Sequence, residues 1–169
     1  MSGKTIGQSL NNGFAGSYAR QPDMIINTHP NKEASASIPF GHALMVASGG
    51  VKLPTASITA ADFAGVASRQ VETNVNYLNQ NGPGEYAPNA PVSCFQRGRI
   101  NVECKVGTPA LNGDVYIAIS TANSNVIGDF TATEGTLNTD TIKLTNCKWG
   151  GAKDSNNVVE LVILNAVNA

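Results

Sequence analysis

The chain reads as all-β: a small antiparallel β-barrel or β-sandwich with an extended N-terminal arm and a long polar loop. Three observations carry that expectation. Ile100, Val102, Cys104 and Val106 alternate with Asn101, Glu103 and Lys105, the period of two of a strand with one buried face. Val115, Ile117 and Ile119 repeat the alternation just after an Asn112-Gly113 turn. The other apolar runs are short and punctuated by Gly and Asn, the rhythm of a sandwich or barrel.

Taken in order, residues 1–36 read as an arm and residues 37–169 as a single β domain. The arm lacks a regular period, and Asn11-Asn12-Gly13, Gly16, Pro22 and Pro30 discourage regular structure. It nevertheless carries Ile6, Leu10, Phe14, Tyr18, Met24, Ile25 and Ile26, which a freely solvated tail would lack. It therefore packs on its own domain or lies across a partner. Phe40, Leu44, Met45 and Val46 form a short apolar segment ending at Ser48-Gly49-Gly50, and Val51 to Pro54 is a second. Thr59 to Asp62 suits a helical turn capped by Thr59. Phe63 to Ser68 has the length and apolarity of a buried strand. Residues 72–91 are crowded with Asn, Gly and Pro, and a loop this long in a compact domain is a candidate contact surface. Ile142 to Thr145 and Val158 to Leu164 complete the strands, with Glu160 expected at an edge or in a partner contact.

Composition narrows the function. The 169 residues carry a formal charge of −1, and only 14% are charged, below the usual ~25%. No basic stripe points to nucleic acid. No run approaches the ~18 apolar residues of a membrane helix, and no signal-peptide pattern follows Met1. Cys94, Cys104 and Cys147 are odd in number and form no Cys-x-x-Cys pair, which argues for assembly in a reducing cytoplasm.

Candidate chemistry is sparse. Gly3-Lys4-Thr5 lacks the upstream glycine and strand of a phosphate loop. His29 and His42 are too few for a metal site of three or four ligands. Cys104 occupies a core slot, whereas Cys147 beside Lys148 keeps a nucleophile reading open. Asp114, Asp129, Glu134, Asp140 and Asp154 sit in turn-like settings that favour local hydrogen bonding. Arg97-Gly98-Arg99 is either a clamp on an acidic partner or a solvated strand start whose glycine permits a bulge. Trp149 is a core residue or a stacking platform for a sugar. No metal or cofactor is expected.

Several blocks together resemble the structural cement proteins that decorate tailed-bacteriophage capsids. They are Gly13-Phe14-Ala15-Gly16, Ile38-Pro39-Phe40-Gly41, Phe63-Ala64-Gly65-Val66-Ala67, Arg97 to Val102, and Gly113-Asp114-Val115-Tyr116. The likeness spans about residues 14–120. It implies a non-enzymatic virion protein on the capsid exterior that bridges capsomers. Its partners would be the major capsid protein and further copies of itself, a trimer before a dimer, with no nucleic acid or membrane. The contact residues expected on this basis are Phe14, Tyr18, Arg20 and Ile25 of the arm, Tyr77 and Tyr86 of the loop, and Arg97 and Arg99. A phage tail or baseplate protein, or a carbohydrate-binding β module, is the alternative.

Overall fold

The computed structural model describes residues 11–70, 84–121, 125–135 and 140–164. Among the described residues there are eleven strands: β1 (Tyr18–Pro30), β2 (Ile38–Pro39), β3 (Ala43–Ala47), β4 (Gly50–Lys52), β5 (Phe63–Ala67), β6 (Glu85–Tyr86), β7 (Pro91–Glu103), β8 (Asp114–Ala118), β9 (Phe130–Thr131), β10 (Thr141–Trp149) and β11 (Val158–Ile163). Nine of them make one antiparallel sheet in the order β4-β3-β5-β7-β11-β10-β8-β9, with β1 also on β7. The sheet curls into a half-barrel, and β2 and β6 form a separate two-stranded ribbon. A 3₁₀ turn spans Ala60–Asp62, and Asp62 accepts hydrogen bonds from the Thr59 N–H at 2.9 Å and Oγ1 at 2.7 Å.

The core follows from the period of two. Ile100, Val102, Val115, Ile117, Leu161 and Ile163 all turn into the half-barrel, packed with Phe63, Phe95, Phe130 and Trp149. Cys104 and Ile119 are buried as well. The near end of the sheet is covered on both faces. Phe63 and Val66 of β5 face the barrel, while Ala64 and Ala67 face a second cluster with Ile38, Phe40 and Tyr86. Burial on both faces is why β5 reads as an unbroken apolar run rather than an alternation.

Three elements differ from the sequence expectation. The strand expected to run to Val106 ends at Glu103, where the Cys104 N–H turns to the carbonyl of Asn157 at 2.8 Å. The segment Tyr18–Pro30, read as arm, is a 13-residue strand paired antiparallel with β7 from Ile100 to Pro91. Backbone hydrogen bonds to β7 hold it, and of its side chains Met24 and Ile26 pack against the core, so its own sequence carries little strand period. Of the segment read as a long loop, Glu85–Tyr86 is strand β6 and Pro91 opens β7. Residues 71–83 lie outside the described residues.

Candidate functional site

Two glycine blocks far apart in sequence meet beside β1. The Gly16 N–H donates to the carbonyl of Asn101 and its own carbonyl accepts from the Arg69 N–H, each at 2.7 Å. A Cβ on Gly16 would sit 2.9 Å from the Gly41 nitrogen, and one on Gly41 would sit 2.6 Å from Ala15 Cβ. Only glycine lets Gly13–Gly16 and Ile38–Gly41 nest this closely. The nesting displays Phe14, which is 67% exposed and has the Arg69 guanidinium 4.7 Å over its ring. Tyr18 stacks on Phe95 with centroids 5.9 Å apart and leaves an exposed edge, and Ile25 is exposed farther along β1.

The arginine pair is engaged within the chain. Arg97 Nε lies 3.2 Å from Asp23 Oδ1, and Arg99 pairs with Glu160. Gly98 between them has φ +110°, and a Cβ there would fall 2.1 Å from the Asp23 carbonyl. The glycine thus lets β1 cross closely where its register with β7 shifts between Arg20 and Ile25. Both arginines stay partly exposed, at 43% and 42% of their side chains.

Two expectations are corrected. Glu160 is not at an edge: β11 lies between β7 and β10, and the carboxylate is pinned by Arg99 and by Arg20 Nε at 2.9 Å. Burial alone would raise its pKa, but hydrogen bonds from Arg99 and Arg20 outweigh that and hold it below the ordinary carboxylate range. Tyr86 is buried rather than presented. Its ring packs edge-on to Phe40 at 5.0 Å, and its hydroxyl donates to the Ser68 carbonyl at 2.6 Å. Tyr77 lies outside the described residues.

One charged cluster had no sequence signal. Asp114 receives Lys143 Nζ at 2.5 Å and Lys148 Nζ at 2.6 Å. Those hydrogen bonds, Lys143 first, draw its pKa down to about 2. In a regular strand, residues 143 and 148 would point to opposite faces. A register shift between Leu144 and Lys148 brings both lysines to one carboxylate.

Comparison with known proteins agrees with this architecture. A family model described as "Structural cement protein (E217 gp24/Pam3 gp6)" matches residues 3–164. The chain belongs to this family. As a phage structural cement protein it has a capsid cement or decoration role and a place in the virion. The match extends beyond the 14–120 span of the sequence resemblance and takes in β10 and β11. A chain from a solved structure titled "The capsid of Myoviridae Phage XM1" shares the fold with a TM-score of 0.72 and 18% identity, over 99% of each chain. No curated protein matches.

The remaining candidate groups of this cement protein serve packing. Cys94, Cys104 and Cys147 are buried and free of disulfides, and burial pushes the Cys94 and Cys147 thiols up to about 12. Cys147 beside Lys148 is therefore a neutral core thiol rather than a nucleophile. Trp149 is 1% exposed and has no ring face to offer a sugar. His42 Nε2 lies 3.5 Å from Asp129 Oδ1, and Lys105 Nζ lies 3.7 Å from the other oxygen. Among the described residues no three His, Cys, Asp or Glu side chains gather as a metal site. Asp154 closes its own turn, accepting from the N–H groups of Asn156 and Val158, as the sequence reading expected of turn aspartates.

Proposed function

We propose that this chain lies on the exterior of the phage shell and clamps neighbouring copies of the major capsid protein, without catalysing a reaction. The match of the cement family over residues 3–164 carries the reading. The mechanism is linkage: a ligand that binds the assembled, expanded shell and not its separated subunits stabilises the assembly by mass action. Weak contacts repeated around the particle gain by effective concentration, and self-association as a trimer, or else a dimer, adds to that gain.

On this reading the exposed Phe14, just before β1, and Tyr18 and Ile25 of β1 are contact residues. Aromatic anchors of this kind dominate interface energetics. Bridging needs a second contact surface on the same molecule, so β1 alone does not suffice. The test is addition of purified protein to expanded shells lacking it, followed by cryo-electron microscopy and a thermal disruption curve. Ordered density on the outer surface and a higher disruption temperature are expected. Density only inside the shell, or no binding at saturating protein, overturns the proposal. A Phe14→Ala, Ile25→Ser variant should bind more weakly while melting as the parent does.

A further inference from the structure

The second surface is legible on the outer face of the sheet. Register places Arg20 opposite Arg99, Arg99 opposite Val162, Val162 opposite Lys148, and Lys148 opposite Asp114. Paired residues of an antiparallel sheet point to the same side, so these five form a row across five strands. The carboxylates in and beside the row, Asp114 and Glu160, are each shared by two cations. Glu160 holds Arg20 and Arg99, and Asp114 holds Lys143 and Lys148. Four cations thus meet two carboxylates, in a chain whose whole count is 11 Lys and Arg against 12 Asp and Glu. Arg97 and Asp23 beside them pair one to one. At the margins Lys105 is shared by Glu103 and Asp129, and Glu134 acts on Tyr116 and on Lys143, so the excess of cations lies on the Arg99 and Lys148 side of the row.

The surplus is focused on a groove. Its walls are Arg99 and Lys148, its apolar lining is Leu111, Val162 and Leu164, and no carboxylate lines it. Leu111 is 68% exposed and Leu164 50%, among the most exposed large apolar residues of the described chain. On the Glu160 side the cations stand above their partner, Arg99 being 42% exposed where Glu160 is 12%, while Lys148 and Asp114 are equally exposed. A surface on which cations outnumber the carboxylates they share, set around aliphatic side chains, is complementary to a carboxylate next to an aliphatic group.

Resting on the capsid reading above, we propose that the groove between Arg99 and Lys148 docks a segment of the shell protein that presents an acidic side chain beside an aliphatic one. The carboxylate sits between the two cations and the aliphatic group covers Leu111 and Leu164. A second copy of this chain fits less well, because a two-fold contact through this groove would set like charges against each other.

The experiment measures binding to expanded shells of the parent phage prepared without this protein. Lys148→Gln should weaken binding about tenfold, a difference of about 1.4 kcal/mol. Leu111→Ser with Leu164→Ser should do the same. These two leucines are exposed, so the double variant keeps its melting temperature and remains informative if Lys148→Gln does not fold. Asp114→Asn, which frees Lys148, should bind at least as tightly as the parent. Raising ionic strength from about 0.1 M to about 1 M shortens the screening length from about 10 Å to about 3 Å and should weaken the parent more than Lys148→Gln. If the parent binds shells and both groove variants bind equally well, the groove proposal is wrong. It is also wrong if the variants lose only self-association in sedimentation while shell binding is unchanged. Failure of the parent itself to bind shells is a different result and overturns the capsid reading instead.

Discussion

Replacing Gly65 by Ala tests the packing argument at its tightest point. Gly65 lies in β5 between β3 and β7, with φ +144°. A Cβ there would stand 2.4 Å from the Phe95 carbonyl oxygen and 2.7 Å from Cys94 Sγ. The first neighbour is backbone of the central strand, so it cannot swing aside as a side-chain tip would. Holding an L-residue in such a conformation costs about 1–3 kcal/mol, and overpacking a filled core costs about 1–3 kcal/mol more. The middle of that range is about 4 kcal/mol, a large part of the roughly 5–15 kcal/mol that holds a domain together. At about 2–4 °C per kcal/mol for a chain of this size, melting should fall by roughly 10 °C. Gly151→Ala is the control, since nothing lies within 4 Å of its would-be Cβ. Differential scanning calorimetry of both variants decides the matter. If Gly65→Ala melts within about 2 °C of the parent, the close approach of β5 and β7 described above is wrong.

Other outcomes follow from the same geometry. In native protein at pH 8 the buried thiols should resist a thiol-reactive dye, and all three should label once guanidinium unfolds the chain; rapid native labelling of Cys94 or Cys147 would contradict their burial. Acid should destabilise in two stages. His42 has a pKa lowered by burial, against the attraction of Asp129, so its contribution is lost as pH falls below the unfolded value near 6.5. Asp114 titrates at about 2 in the fold against 3.8 in the unfolded chain, and Glu160 is also depressed, so their stabilisation is present above those unfolded values and disappears as pH drops toward 2. Urea midpoints from pH 7 to 2 should fall accordingly, and Asp114→Asn should flatten the lower stage. Deleting residues 2–26 should lower the melting temperature well below the parent, because it strips most of β1 from β7 and removes Met24 and Ile26 from the core; a truncated protein that melts like the parent would show that β1 is dispensable.

Local pattern determined much of this protein. Alternation places one face of a strand inward whatever its neighbours are, so Ile100, Val102, Val115, Ile117, Leu161 and Ile163 could be assigned to the core before any partner strand was known. The glycine blocks carried the family likeness for the same reason: close backbone approach tolerates no other residue, and the residue type is visible in one dimension. What depends on a partner strand was not visible. β1 is a strand because β7 offers it hydrogen bonds, not because its own side chains alternate. Glu160 is central because β10 and β7 flank β11, and strand order is a property of the assembled sheet. Lys143 and Lys148 share Asp114 only through a register shift, and a shift of register moves side chains between faces without changing a letter of the sequence.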